Sequence, residues 1–203
     1  MEKNETLLNA IYRQDFYSFF QRVFADVGGN SVFQPNWHIE VIVHYLQLAM
    51  EGKEKRLIIN LPPRHLKSIL CSVALPAYLL GKNPRERILC VSYSDELSSK
   101  LALDCRRIME SGWYRTVFPG TRLSPSRRSI SDFETTLGGG RFSTSIGGTI
   151  TGRGGNYLII DDPIKPADAD SDILRNKVNE CYGSTLYSRL DNKKDGKIIV
   201  VMQ

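Results

Sequence analysis

Residues 57–68 read LIINLPPRHLKS and join a short apolar run, a proline-containing loop and a lysine–serine pair. The apolar run predicts a buried strand over 56–61, and the two prolines that follow lack backbone donors and end it. Lys67 and Ser68 then begin an apolar helix that we expect to run to about Leu80. A loop between a strand and a helix N-terminus is typical of phosphate-binding sites, because the helix dipole and the free backbone amides favour negative charge.

The lysine–serine pair predicts contacts with a nucleotide. Lys67 can reach β- and γ-phosphates, and the Ser68 hydroxyl can ligate Mg²⁺. The usual pattern of such loops is Gly-x-x-x-x-Gly-Lys-Ser/Thr, whereas Leu61 and Leu66 stand at the two glycine positions here. The alternative interpretation is a strand, a proline turn and an amphipathic helix that exposes one lysine, and this segment alone leaves both open.

A second apolar run, YLIIDDP over 157–163, ends in two carboxylates. A magnesium–nucleotide site needs one acid to hold the metal and a second to orient the attacking water. Ligands of parallel sheets bind at the carboxyl ends of the strands, so Asp161 and Asp162 are expected close to Lys67. Asp-Asp-Pro also begins turns well, which is the alternative for this run taken singly. The two runs together favour a nucleotide-binding site.

The apolar pattern on both sides predicts an α/β fold with a mostly parallel central sheet flanked by helices. Further helices are expected over 5–26, 36–51, 94–111 and 171–187, and further buried strands over 87–93 and 197–203. The glycine-rich stretch 138–155 predicts loops or tight hairpins, with short strands such as 141–145. The organisation is therefore an N-terminal helical segment over 1–52 and a core domain over 53–203.

The composition excludes several classes of protein. Lysine and arginine number 27 against 22 aspartates and glutamates, a net charge of +5 that permits a polyanionic partner without requiring one. With 41% hydrophobic residues, the chain is neither an acidic disordered protein nor a collagen-like or mucin-like repeat. The four scattered cysteines predict reduced, mostly buried thiols. The start lacks a signal-peptide pattern, and the longest apolar stretch, 69–80, is short and contains Ser72 and Pro76, so we expect a soluble intracellular protein.

Three blocks of sequence resemble the ATPase domain of large terminase subunits, the DNA-packaging motors of tailed bacteriophages and prophages. The blocks are 61–68 (LPPRHLKS), 145–153 (SIGGTITGR) and 158–165 (LIIDDPIK), and the similarity extends over about 33–203. The resemblance implies an ASCE-type P-loop NTPase fold that hydrolyses ATP with Mg²⁺ to drive double-stranded DNA into a procapsid. It also implies a homo-oligomeric ring, a portal protein and a small terminase subunit as partners, no membrane partner, and the cytoplasm of the bacterial host.

The resemblance assigns a role to each residue of the loop. Lys67 would contact the β- and γ-phosphates, and Ser68 would ligate Mg²⁺. Arg64 would sense or stabilise the γ-phosphate, at a position where the family's loop carries an arginine. His65 and Leu66 would complete the nucleotide-binding loop, with Leu66 in place of the more usual glycine.

The resemblance also assigns acids and arginines. Asp161 matches the metal-binding acid of the Walker B strand, and Asp162 matches the catalytic acid, which is usually glutamate in the wider family. Arg153, between glycines, is a candidate for an arginine that reaches the γ-phosphate of a neighbouring subunit, and the alternative is a solvated arginine or a contact with DNA phosphate. The remaining arginines of the middle region are expected at the surface or close to DNA, namely Arg122, Arg127, Arg128 and Arg141.

Residues 33–38 resemble the segment that contacts adenine in this family. Gln34 could hydrogen-bond the edge of the base, and Trp37 or His38 could pack nearby. A helix cap with core aromatic residues is the alternative interpretation of the same segment.

The end of the chain bears on the choice of function. Residues 200–203 resemble the start of the motif that couples hydrolysis to movement, and the RNase H-like nuclease domain of the family is expected to be absent from this chain, which predicts no nuclease activity. Two alternatives stay open beside the packaging ATPase. One is another DNA-translocating or helicase-like P-loop ATPase, and the other is a catalytically silent, truncated prophage remnant.

Overall fold

The computed structural model of the protein describes residues 2–29, 31–150 and 152–203. The helices are α1 (Glu2–Gln14), α2 (Phe16–Val27), α3 (Trp37–Met50), α4 (Leu75–Lys82), α5 (Asp95–Glu110), α6 (Gly112–Val117) and α7 (Asp172–Cys181). The strands are β1 (Arg56–Asn60), β2 (Arg87–Ser92), β3 (Leu123–Arg128), β4 (Asp132–Thr135), β5 (Gly140–Ser145), β6 (Tyr157–Asp161) and β7 (Lys197–Met202). Two π-helical segments, Ile69–Ala74 and Tyr182–Leu186, adjoin α4 and α7, and 3₁₀ turns cover Pro166–Asp168 and Tyr187–Arg189.

The seven strands form one mixed sheet in the order β1-β7-β6-β2-β5-β4-β3. The first five strands in this order, β1, β7, β6, β2 and β5, run parallel to one another. Strands β4 and β3 continue the sheet in antiparallel pairing. This architecture confirms the prediction of an α/β fold with a mostly parallel sheet flanked by helices. The antiparallel edge was not predicted beyond the short strand at 141–145, because β3 and β4 are polar and carry no apolar run.

The central strands bury both faces of the sheet. Ile159 of β6 and Ile199 of β7 belong to a large core that also takes in buried residues of α2 to α6. Leu158 and Ile198, one residue earlier in each strand, belong to a smaller core on the opposite face, which Leu186 and its neighbours after α7 cover. The period-2 alternation of side chains in β-strands produces this division. The sheet therefore has a thick helical layer on one face and a thin cover on the other.

Strand β1 is the edge of the sheet, contrary to the prediction of a fully buried strand over 56–61. It pairs with β7 on one side. Ile59 is buried, whereas the neighbouring Ile58 is 65% exposed. A short run of apolar residues alone cannot distinguish a central strand from an edge strand with one open face.

The predicted N-terminal helix over 5–26 is two helices, α1 and α2, broken at Asp15. Asp15 has an extended backbone and its carboxylate accepts a hydrogen bond from the Ser18 amide at 2.7 Å, so it is the N-cap of α2. Of the apolar residues of α1, Tyr12 packs against the large core that α2 joins, whereas Leu8 and Ile11 are 48% and 39% exposed. The helix predicted over 171–187 likewise begins at the Ser171 cap, and its second half is π-helical and 3₁₀.

Arg141 is buried, so its expected place at the surface was wrong. It lies on β5, is 1% exposed, and donates from Nη2 to the Ser72 carbonyl oxygen at 3.2 Å and from Nη1 to the Ser143 hydroxyl. The alternating polar residues of RFSTS look like a solvated strand, but their inward side faces the large core. Arg122 and Arg127 are exposed, as expected, and the side chain of Arg128 is outside the described residues.

The cysteines confirm the prediction of reduced thiols. All four are free, and Cys71, Cys90 and Cys105 are buried. Burial raises the pKa of all three thiols, that of Cys105 to about 12, so they remain protonated and unreactive at neutral pH. In the described part of the chain, no helix combines the length and the apolar character needed to cross a membrane.

Candidate active site

The loop after β1 and the end of β6 lie at the same edge of the sheet, with β7 between them. The Leu61 amide donates to the Met202 carbonyl oxygen at 3.1 Å, and the Asp162 amide donates to the Val201 carbonyl oxygen at 2.8 Å. Both segments are thus anchored to the last residues of one strand. The lysine–serine pair and the two acids, some 94 residues apart in the chain, meet because parallel strands end at the same side of a sheet.

The backbone of the loop turns sharply at two residues. Arg64 and Leu66 have φ angles of 64° and 62°, in the left-handed region. Such residues in a turn produce concave arrangements of amide groups that bind anions. They also explain why glycine is usual at position 66, since a leucine in this region costs about 1 kcal/mol. Leu66 packs against the large core, which holds the loop in this conformation.

The helix that follows the loop begins with free amides. The first α-helical bond runs from the Leu70 amide to the Leu66 carbonyl oxygen at 2.9 Å. The amides of residues 67–69 lie between this first acceptor and the first helical donor, Leu70, so they have no partner within the helix. A helix N-terminus with free amides at the end of a left-handed loop is a site that favours an anion such as a phosphate.

Lys67 is a buried cation that faces an acid. It is 4% exposed, and its Nζ lies 3.6 Å from Oδ2 of Asp162. This distance exceeds the usual range for a charge-assisted hydrogen bond, and no other partner of the ammonium occurs among residues 2–29, 31–150 and 152–203. The three donors of the ammonium are therefore available to phosphate oxygens.

Asp161 is buried and accepts two hydroxyl hydrogen bonds. It is 1% exposed, its Oδ1 accepts from the Ser68 hydroxyl at 3.0 Å, and its Oδ2 accepts from the Ser72 hydroxyl at 2.6 Å. Burial raises the pKa of Asp161 to about 6, against the lowering effect of the two hydroxyls and of Lys67. At neutral pH the carboxylate is charged, and a divalent cation beside Ser68 would stabilise that charge.

Asp162 has a left-handed backbone that explains its residue type. Its φ is 47°, and its carbonyl oxygen accepts from the Tyr93 amide at 3.0 Å. Aspartate and asparagine adopt this conformation more readily than glutamate, because their short side chains bond locally. The short carboxylate at this position still reaches to 3.6 Å from the lysine of the loop.

Arg64 and His65 lie at the mouth of the site. The Arg64 side chain is exposed and, within the described residues, contacts no carboxylate or hydrogen-bond acceptor. The His65 Nδ1 lies 2.9 Å from the Pro63 carbonyl oxygen, and its ring packs against that of His38, with centroids 5.3 Å apart. His38 thereby connects the N-terminal helical segment to the loop.

The segment expected to contact adenine divides into a buried and an exposed part. Phe33 packs against Phe20 and Phe24 of α2, in agreement with the core-aromatic alternative. Gln34 is exposed, and Trp37 is 73% exposed. Trp37 and His38 line a groove of about 400 Å³ between α3 and β1 that ends at the start of the loop. The groove is large enough for a planar base.

Arg153 lies away from the phosphate loop of its own chain. It forms an ion pair with Asp132 of β4, lies 3.7 Å from a Glu134 oxygen, and its guanidinium stands over the Phe142 ring at 5.3 Å. Phe142 lies three residues before Ser145, the β5 residue at the level of Asp161. A contact between Arg153 and a γ-phosphate would therefore have to come from a neighbouring subunit.

Two residues of the site were not predicted from the sequence, Ser72 and Arg141. Ser72 stands four residues after Ser68, and a serine within an otherwise apolar stretch was the available signal for it. On a helix that spacing places both hydroxyls on one face. No signal identified Arg141, because its contact with the helix depends on the packing of β5.

The residues present fit a magnesium–nucleotide complex. Free amides and the unpaired donors of Lys67 suit phosphate oxygens, and the Ser68 hydroxyl with the Asp161 carboxylate offers the oxygen ligands that Mg²⁺ prefers. Asp162 stands beside the lysine, where it can accept a hydrogen bond from water. In comparisons with known proteins, no family model matches this chain, and no curated protein matches it significantly.

Proposed function

We propose that this chain is an ATPase domain that hydrolyses ATP with Mg²⁺, as part of a DNA-packaging motor of the large terminase type. The observation that carries the proposal is the meeting of the loop and the acid strand. Lys67 is buried 3.6 Å from Asp162, and Ser68 is hydrogen-bonded to Asp161 at 3.0 Å. A lysine, a hydroxyl and two acids in this arrangement are the groups that phosphoryl transfer requires.

Each residue has a role that follows from its position. The Lys67 ammonium and the amides of 67–69 bind β- and γ-phosphate oxygens, and Arg64, which is exposed and has no carboxylate partner among the described residues, is available to the terminal phosphate. Ser68 and Asp161 would hold Mg²⁺, and the ion would supply charge stabilisation to the transferred phosphoryl group. Asp162 accepts a hydrogen bond from the attacking water and orients it toward the phosphorus.

The order of strands supports the same class of enzyme. Strand β7 separates the loop strand β1 from the acid strand β6. An additional strand at this place is the feature that the ASCE class of P-loop ATPases is named for. The three blocks of terminase-like sequence extend the proposal to double-stranded DNA, a portal protein, a small terminase subunit and a homo-oligomeric ring in the cytoplasm of a bacterial host.

The ATPase part is tested by binding of a fluorescent ATP analogue in the presence of Mg²⁺. Lys67→Ala should weaken binding by at least about 100-fold, because it removes a buried charge-assisted contact to two phosphates. Lys100→Ala, on the exposed side of α5, is the matched control and should bind like the wild type. Equal affinity of the Lys67→Ala and wild-type proteins would contradict the proposal.

The motor part is tested separately by DNA dependence of the reaction. Linear double-stranded DNA should stimulate ATP hydrolysis irrespective of its sequence, and the stimulation should fall steeply with salt because the contacts are with phosphates. Stimulation by single-stranded DNA alone would favour a helicase-like ATPase. Nucleotide binding without hydrolysis, under conditions in which the protein assembles, would favour the silent remnant.

A further inference from the structure

Ser72 occupies a buried position between the helix that follows the loop and the acid strand. It is 1% exposed, and its hydroxyl donates to Oδ2 of Asp161 at 2.6 Å. This bond is shorter than the 3.0 Å bond from Ser68 to Oδ1 of the same carboxylate. The two hydroxyls therefore hold the two oxygens of Asp161 separately.

The backbone at Ser72 is held by a second buried residue. Residues 69–74 are π-helical, and Nη2 of Arg141 donates to the Ser72 carbonyl oxygen of this segment at 3.2 Å. The guanidinium is 1% exposed and has no ion pair with any carboxylate in the described part of the chain. A buried charge without a counterion is costly, so its bond to this carbonyl is a specific feature of the fold.

We propose that Ser72 is a positioning residue that holds Oδ2 of Asp161, so that Oδ1 is directed to the metal ion beside Ser68. The inference rests on the proposed Mg²⁺–ATP site and adds a residue to it. Arg141 contributes by fixing the backbone of the π-helical turn that carries the Ser72 hydroxyl. The resulting chain of contacts runs from β5 through the helix to the end of β6.

The orientation of a carboxylate needs such a contact. Rotation about the last side-chain bond of aspartate is only weakly restricted, so one hydroxyl alone leaves the plane of the group free to turn. A second donor on the other oxygen fixes that plane. Groups that orient a metal ligand in this way are worth about 10–100-fold in metal affinity.

The test is the Mg²⁺ dependence of nucleotide binding, measured with a fluorescent ATP analogue at about pH 8, where exposed carboxyl groups are ionised. Ser72→Ala should raise the Mg²⁺ concentration needed for half-maximal binding about tenfold or more. Affinity for the analogue in EDTA should remain within about twofold of the wild type, because Lys67 and the amides are untouched. Ser72→Cys, which keeps the size of the side chain but donates only weakly, should shift the Mg²⁺ requirement in the same direction.

The matched control is Ser98→Ala, which removes a second buried hydroxyl. Ser98 is 3% exposed on α5, and its Oγ has no hydrogen-bond partner among the residues that the structure describes. This variant should keep the wild-type Mg²⁺ requirement, and the thermal unfolding midpoints of all variants should be measured in EDTA to compare their folds.

The outcomes separate this inference from the proposed function. An unchanged Mg²⁺ requirement in Ser72→Ala, with Lys67-dependent binding by the wild type, overturns the inference and leaves the ATP site standing. An equal loss of binding with and without Mg²⁺ shows a structural role for Ser72 and also overturns it. A wild type without Lys67-dependent binding contradicts the proposed function, and the inference then fails with it.

Discussion

The Lys67 ammonium and the Asp162 carboxylate face each other 3.6 Å apart inside the site, both on segments anchored to the end of β7. Each group offsets the burial of the other, since the lysine is 4% exposed and an unpaired buried charge is costly. A phosphate group beside the lysine would replace this partner and leave the carboxylate to interact with water. In the proposed site, nucleotide binding would therefore release the proposed catalytic acid from its lysine partner.

Replacing Asp162 by asparagine should separate binding from turnover. Asparagine tolerates the left-handed backbone of this position, with its φ of 47°, so the fold should persist. Affinity for Mg²⁺–ATP should stay equal or increase, because Lys67 loses a competing partner. The rate of hydrolysis should fall by at least about 100-fold, because the amide does not accept a proton from water. Equilibrium binding and steady-state phosphate release measure the two effects.

The control for this prediction is Asp170→Asn, an exposed aspartate beyond the end of β6. It should change neither binding nor turnover. Turnover that survives in Asp162→Asn would show that another group orients the water.

The pKa of Asp161 predicts a dependence of stability on pH. Because burial raises this pKa from 3.8 to about 6, the native state binds a proton more tightly than the unfolded chain. The free energy of unfolding should therefore fall as pH rises from about 4 to about 6. Asp161→Asn, a neutral side chain of the same shape, should be more stable than the wild type above pH 6 by up to about 2–3 kcal/mol in EDTA, with no gain below about pH 4.

Urea unfolding across this range of pH measures the effect, and Asp195→Asn is the control of opposite sign. The Lys55 side chain lowers the pKa of Asp195, so this carboxylate contributes stability that is lost as pH falls through its folded pKa. Its replacement should reduce stability at neutral pH and leave it unchanged at low pH. If the free energies of unfolding of Asp161→Asn and the wild type differed by the same amount at every pH, the raised pKa of the buried Asp161 carboxyl would be contradicted.

The sequence predicts the centre of this fold better than its edges. Apolar runs and their spacing identify β6, β7 and the helix after the loop, because burial on both faces leaves an uninterrupted pattern. The same signal fails for β1, whose Ile58 is 65% exposed at the edge of the sheet. It also fails for the break at Asp15, where apolar residues recur at helical spacing on both sides and a capping carboxylate begins the second helix.

The site residues that belong to a local motif could be predicted from the sequence. A residue that reaches the site only through tertiary packing could not. Lys67 lies in the loop after the apolar run of β1 and Asp161 ends β6, and the proximity of the two segments follows from the parallel strand order. Arg141 lies on β5, two strands away from β6, and reaches the site through its hydrogen bond to the Ser72 carbonyl oxygen. Such a contact depends on packing and leaves no periodic signal in the sequence.

Removing Arg141 should destabilise the protein strongly. Arg141→Ala leaves a cavity in the large core and deprives the Ser72 carbonyl and the Ser143 hydroxyl of a donor. The expected loss in the free energy of unfolding is about 3 kcal/mol or more, since cavity and unpaired polar groups both contribute. Arg115→Ala, on the exposed side of α6, should stay within about 0.5 kcal/mol of the wild type. Equal stability of both variants in urea would contradict the buried role of Arg141.

Replacing Arg153 should reduce ATP hydrolysis only in the assembled protein. Arg153 pairs with Asp132 and stands over Phe142, in the amino-terminal half of β5. Asp161 lies at the other end of the parallel strands, where they terminate. Arg153→Ala should therefore leave Mg²⁺–ATP affinity of the dilute monomer unchanged and reduce stability by about 1 kcal/mol at most. In the assembled protein, turnover should fall by about 1000-fold if the guanidinium completes a neighbour's site.

The measurement is ATP hydrolysis at increasing protein concentration, beside the matched variant Arg127→Ala. Arg127, on β3, pairs with Glu134 of β4, the strand that also carries the Asp132 partner of Arg153. Wild type and Arg127→Ala should show specific activity that rises with concentration, because assembly brings the guanidinium of one subunit to the phosphates of the next. Arg153→Ala should stay at the monomer level throughout. If the dilute Arg153→Ala monomer lost as much activity as the assembly, the arginine would act in its own subunit. If the assembly kept full activity, the arginine would serve only in its ion pair with Asp132.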